Sequence, residues 1–130
     1  VCHHIGVFSQ DPESLVTFYT EKLGFEHKGS KIISADWMDK IFGVPVACRL
    51  IKLGFGSAVV EIFAPQSGKL VRRTAASSGY NHWGLGVEDK ESYIIRLEKM
   101  GVPLLRLEGN GKFIYFIKDP EGNLIEIYEK

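Results

Sequence analysis

Apolar residues along this chain change rhythm repeatedly, alternating by twos in some stretches and recurring every three or four in others. From Cys2 to Phe8 they follow a strand-like pattern, and Asp11-Pro12-Glu13 then opens a helix with a cap, a first-turn proline and an acid at the positive helix end. Leu15, Phe18, Tyr19 and Leu23 recur at helical spacing, and Gly24 is placed to stop the helix. Strands are predicted over 26–35, 46–53 and 57–64, the last two joined by Gly54-Phe55-Gly56. A short helical turn or lid over 36–43 carries Trp37, Met38 and Phe42. Residues 65–79 break the pattern: they are polar, rich in Gly and Ser, and hold Lys69, Arg72 and Arg73. The order then restarts, with a strand over 82–87 and a helix over 89–100 that turns Tyr93, Ile94, Leu97 and Met100 inward. Strands over 104–107, 113–118 and 124–129 complete it, and Asp119-Pro120-Glu121-Gly122-Asn123 forms a turn before the last.

The second half repeats more than the order. His4-Ile5-Gly6 precedes Asp11-x-Glu13-Ser14, and His82-Trp83-Gly84 precedes Asp89-x-Glu91-Ser92 at one common offset. Val59-Val60-Glu61-Ile62-Phe63 is answered by Leu124-Ile125-Glu126-Ile127-Tyr128. The chain therefore reads as an α+β protein of two βαβββ modules, the first over 1–64, a linker over 65–79 and the second over 80–130, within one domain of 130 residues. Each module leaves an apolar sheet face to be covered, so the two are expected to join as a half-open mixed β-barrel sheet with helices outside.

Bulk properties narrow the partners. Sixteen basic and sixteen acidic side chains cancel, leaving no field to attract nucleic acid or anionic lipid. No apolar run nears the ~20 residues that span a bilayer. Cys2 and Cys48 are the only cysteines, and with no leader pattern at the start the expected setting is cytoplasmic, with reduced thiols.

Glu61 and Glu126 stand among apolar strand residues, where a carboxylate must be paired, protonated or metal-bound. Lys52 and Lys118 on the preceding strands are candidate partners. Gly6 and Gly84 lie two residues past a histidine, on its own strand face, and leave room beside the ring. A lone strand histidine or glutamate is most often structural. Two of each in repeat-equivalent places form a set suited to one divalent ion, Zn, Ni, Co, Mn or Fe, with His4, Glu61, His82 and Glu126 as ligands. His3 and His27 have no repeat partner and are read as non-ligands. Trp37, Phe42, Phe63, Tyr80, Trp83 and Tyr115 are candidates for an apolar substrate wall, although aromatic residues at this density more often form core, and Arg72 and Arg73 are candidates for an anion clamp or for an exposed linker pair.

Five strings carry a resemblance over nearly the whole chain: His4-Ile5-Gly6-Val7, Phe18-Tyr19-x-x-Lys22-Leu23-Gly24-Phe25, Val60-Glu61-Ile62, His82-Trp83-Gly84 and Phe116-x-x-Asp119-Pro120-x-Gly122-Asn123-x-Ile125-Glu126. They are similar to the vicinal oxygen chelate superfamily, which includes glyoxalases, epimerases, extradiol dioxygenases and the fosfomycin and bleomycin resistance proteins. The resemblance implies paired modules around a divalent ion, the same four ligands, a small-molecule substrate and a homodimer. Glutathione-dependent bacterial glyoxalases carry an arginine four residues after the first histidine and an asparagine four after the first glutamate. Phe8 and Pro65 stand there instead, which points away from a true lactoylglutathione lyase. Methylmalonyl-CoA epimerases usually place glutamine where Glu61 stands. The reading is a metal-dependent lyase or isomerase that moves a proton beside a carbonyl of an oxygen-chelating substrate, with Glu126 and Glu61 as catalytic carboxylates. A ring-cleaving dioxygenase and a non-catalytic binding or resistance protein are the alternatives.

Overall fold

The computed structural model describes residues 1–130 as two compact units, Val1–Thr74 and Ala75–Lys130. In the first, β1 (Ile5–Phe8) leads to α1 (Pro12–Thr17), and Asp11 caps the helix by accepting from the Ser14 amide at 3.2 Å and the Ser14 hydroxyl at 2.6 Å. Those bonds hold the Asp11 carboxyl below its ordinary range. The predicted helix continues to Lys22, with a change of gait: Phe18–Lys22 is a π-helical turn, closed by the Leu23 amide donating to the Phe18 carbonyl at 3.2 Å. Leu15, Tyr19 and Leu23 are all fully buried at a spacing of four. A run that averages α and wider π turns keeps that spacing in line, where an unbroken α-helix would rotate it away from the core.

β2 (Glu26–Ile33) follows, then α2 (Ala35–Phe42), a helix of two turns rather than one, capped by the Ser34 hydroxyl and ended by Gly43 in the left-handed region. β3 (Cys48–Phe55) and β4 (Ala58–Pro65) complete a sheet of order β1-β4-β3-β2, with β1 parallel to β4 and the other pairs antiparallel.

The second unit repeats this without the inserted helix. β5 (His82–Val87), α3 (Lys90–Lys99), β6 (Leu105–Gly109), β7 (Lys112–Lys118) and β8 (Leu124–Glu129) form a sheet of order β5-β8-β7-β6, again with one parallel pair. Asp89 caps α3 through Ser92 as Asp11 caps α1 through Ser14. β6 and β7 run further than predicted, up to a tight turn at Asn110 and Gly111, both with positive φ. Asn-Gly is the preferred pair for such a turn because both residues tolerate that backbone. The Asp119 carboxylate organises the β7–β8 turn, accepting from the Glu121 and Asn123 amides at 3.0 and 2.9 Å.

Two open four-stranded mixed sheets and three α-helices thus make an α+β fold. Each core lies on one sheet face: Ile51, Leu53, Val60 and Ile62 in the first unit, and Leu85, Tyr115, Ile117, Ile125 and Ile127 in the second. Strand alternation puts the two glutamates on the opposite face. No helix is long and apolar enough to cross a membrane.

Candidate functional site

Each unit builds a histidine–glutamate pair from its parallel strands. Gly6 is in register with Glu61, so His4, two residues earlier and just ahead of β1, faces that carboxylate. Its Nε2 lies 3.2 Å from Glu61 Oε1. In the second unit Gly84 is in register with Glu126, and His82 Nε2 lies 3.3 Å from Glu126 Oε2. Both carboxylates are largely covered, with side-chain exposures of 10% and 14%. The two pairs form in register-equivalent places, as the repeated strings require. Within each unit the cluster stops at two: no group of three or more His, Cys, Asp or Glu side chains gathers.

The far side of each ring is also held, by the residue immediately before it. His3 Nδ1 lies 2.8 Å from His4 Nδ1, and His82 Nδ1 lies 2.5 Å from Asn81 Oδ1. The Asn81 contact orients the His82 ring so that Nε2 faces the carboxylate, and a proton on Nε2 or a bound cation satisfies the pair. Anchoring the second ring nitrogen is how proteins orient a histidine ligand. The donor chemistry therefore fits a divalent ion of the borderline class. His3, set aside in the sequence as a non-ligand, serves the ring beside it. The signal was adjacency, since both partners directly precede the repeated histidines.

The two pairs differ in what else touches the glutamate. Lys52, in register with Glu61 across β3 and β4, brings Nζ to 3.3 Å from Glu61 Oε2. The equivalent place opposite Glu126 holds Phe116, whose ring meets the His82 ring edge-on at 5.3 Å. Glu126 instead accepts from the Tyr128 hydroxyl, a bond that pushes the Tyr128 phenol above its ordinary range. Lys118 pairs in register with Leu124, a step along the strand from Glu126, and forms no ion pair with it.

The room that Gly6 and Gly84 leave is filled by aromatic rings. A Cβ at Gly6 would meet Phe63 at 3.5 Å, and one at Gly84 would meet Tyr128 at 3.1 Å. Phe63 also joins Phe8 and Phe42, with centroids 5.3 Å apart for Phe42–Phe63 and 5.5 Å for Phe8–Phe42. This cluster is the part of the predicted apolar wall that forms. Trp83 and Tyr115 do not belong to it: they are in register with Ile125 and Ile127, on the core face. Trp37 and Tyr80 are exposed, Tyr80 to 95%, as are Arg72 and Arg73 in the polar segment between β4 and β5.

Solved structures are similar in fold to this chain over nearly its whole length. A glyoxalase family protein from Enterococcus faecalis superposes with a TM-score of 0.73 at 27% identity, covering 99% of this chain and 97% of that one. The trypanothione-dependent glyoxalase I of Leishmania major gives 0.71 at 26% identity, over 98% of this chain and 84% of that one. FosX, a fosfomycin resistance protein from Listeria monocytogenes in complex with Mn(II) and a dihydroxypropylphosphonic acid, has the same fold at 18% identity, a TM-score of 0.65, and coverage of 98% and 90%. The family model of the glyoxalase/bleomycin resistance protein/dioxygenase superfamily matches residues 2–127. With the repeated sheets and paired strands, that match places the chain in the glyoxalase/bleomycin resistance protein/dioxygenase superfamily.

Proposed function

We propose that the protein is a divalent-metal-dependent lyase or isomerase that moves a proton beside a carbonyl of a small substrate. The observation that carries the reading is the duplicated geometry: a histidine Nε2 set against a covered carboxylate, once in each unit, with the other ring nitrogen anchored. His4, Glu61, His82 and Glu126 are the residues that would hold the ion. When bound, a divalent ion supplies Lewis acidity to a carbonyl oxygen on which negative charge develops.

The chain supplies the rest. A glutamate takes the proton from the carbon next to the carbonyl while the pair left behind is delocalised onto the oxygen, and a carboxylate returns the proton at the neighbouring carbon or the opposite face. The Phe8, Phe42 and Phe63 cluster gives the sheet face that carries Glu61 an apolar flank. Phe8 stands where glutathione-dependent relatives carry an arginine, and its ring is turned into that cluster. The substrate is therefore a compact chelating carbonyl compound with an apolar flank, rather than a glutathione adduct. The homology to a glyoxalase I at 26% identity supports the reaction class.

Elemental analysis of protein purified without chelators or a metal-binding tag tests the reading first. It is expected to find close to one equivalent of a first-row divalent metal per chain, lost in His82→Ala. Incubating the loaded protein with α-hydroxyketones and hemithioacetals in deuterated water, followed by proton NMR, should show exchange beside the carbonyl that Glu126→Gln abolishes. Absence of metal uptake from any ion would overturn the reading. Oxygen consumption with a catechol, in place of exchange, would move the protein to the dioxygenases.

A further inference from the structure

Three lysines of the first unit gather around one glycine. The pairing of β2 with β3 slips between His27 and Gly29, which leaves Lys28 as an extra residue in β2. A bulge of this kind re-aims the side chain it carries. The Lys28 stem lies over Gly54, where a Cβ would stand 2.9 Å from Lys28 Cε and 3.3 Å from its Cγ. Gly54 shares a face with Lys52 and Glu61, so the bulge turns Lys28 onto that face. Lys52 is in register with Gly29, and the exposed Lys31, in register with Leu50, follows two residues later on the same side. A Cβ built on Gly29 would meet nothing within 4 Å. We infer that this open place, ringed by Lys28, Lys31 and Lys52, is a binding site for the oxyanion group of a small ligand, a carboxylate or a phosphoryl group.

The charges suit an anion. Lys28 and Lys52 each hold one carboxylate, with Nζ 2.8 Å from Glu26 Oε2 and 3.3 Å from Glu61 Oε2. Lys31 adds a third ammonium to these two pairs, so the place over Gly29 is positive on balance. The lysine side chains are half-exposed, at 53% for Lys28 and 45% for Lys52, and exposed pairs of this kind are weak enough to exchange. Glu61 keeps His4 at 3.2 Å when Lys52 turns to a ligand. Bonds from an ammonium to an oxyanion are charge-assisted and short, and three converging donors match the several oxygens of one such group. Such binding needs no metal ion and uses the first unit alone. The second unit has no counterpart: β6 and β7 pair without a slip, and Phe116 stands opposite Glu126 where Lys52 stands opposite Glu61.

Amide NMR of the isotope-labelled whole chain tests this, with inorganic phosphate and acetate titrated separately at an ionic strength held constant by potassium chloride. At least one of the two anions should move the amides of residues 28–31 and 52–54 along a saturating curve, and the one that binds more tightly names the ligand's group. Lys28→Met and Lys31→Met should each weaken that binding roughly threefold to tenfold, and Lys28→Arg, which keeps the charge, should retain it. Gly54→Ala removes no charge but crowds the Lys28 stem, and should weaken binding as well. Linear shifts spread over lysines throughout the chain would mean charge screening alone and would overturn the inference. A saturating response that both methionine variants leave unchanged would overturn it too. Repeating the titration after passage over a chelating resin separates this site from the metal reading: binding that survives belongs to the lysines, and binding lost with a metal belongs to the ion and sinks the lysine site.

Discussion

At the scale of single residues, the glycines past the two histidines show how equivalent positions acquire different tolerances. Neither Gly6 nor Gly84 has positive φ, so neither is needed for backbone freedom. They are needed for space, and the space differs. Beside Gly6 the Phe63 ring stands at ordinary contact distance, whereas Tyr128 crowds Gly84 at 3.1 and 3.3 Å. Gly6→Ala should be neutral or stabilise by up to about 0.5–1 kcal/mol, the usual gain from removing a strand glycine. Gly84→Ala should cost about 1 kcal/mol because the Tyr128 ring must shift off its bond to Glu126. Urea denaturation of the two variants compares them directly, and equal midpoints would refute the difference. The His–Glu pairing was legible in the sequence because strand alternation has a period of two and fixes which side chains share a face. Of the two readings open for Trp83 and Tyr115, wall or core, parity selects core: Trp83 neighbours His82 and must point the other way. The partners His3, Asn81 and Tyr128 escaped because nothing in a side chain's identity announces a bond to its neighbour.

Elements were easier to read than their ends. Hydrophobic spacing gives α3 its inward face, and Tyr93, Ile94 and Leu97 are buried there. The π-helical turn after α1 was not legible, since a spacing of four fits both a wide turn and a loosely read α-helix. The Asn110-Gly111 turn signal was passed over in bounding the strands at 104–107 and 113–118, and the strands extend to it because that pair closes a two-residue turn without strain. Burial of α3 makes a prediction about pH. Burial pushes the Tyr93 phenol up to about 12, against the opposing pull of nearby Arg96. A phenol raised from about 10 when unfolded keeps its proton longer in the folded chain, so the unfolded state binds fewer protons above pH 10. Its contribution is fully present below pH 10 and is lost as the pH climbs towards 12. A shift of this size corresponds to something on the order of 2–3 kcal/mol. Tyr93→Phe should flatten the fall in stability over that window, measured by urea unfolding at stepped pH. An unchanged slope would place the phenol in water.

For the whole chain, the question is whether the two duplicated pairs act singly or as one set, and stability answers it. An ion that binds only the folded state stabilises it through mass action, by about 2.7 kcal/mol at a hundred times its dissociation constant. Added Ni2+ or Zn2+ should therefore raise the unfolding midpoint, and a chelator should lower it again. If His4, Glu61, His82 and Glu126 serve one ion, His4→Ala and His82→Ala should each abolish nearly all of that rise, and the double variant should add little. If each pair held its own ion, either variant would keep about half the effect, and binding would saturate at two equivalents per chain instead of one. The sequence could nominate four residues because the repeat made them equivalent, but equivalence says nothing about how many ions they share. Thermal melts of the three variants, with and without metal, decide between one shared ion and two separate ones, and the single-ion outcome is the one expected from a donor set of two nitrogens and two carboxylates.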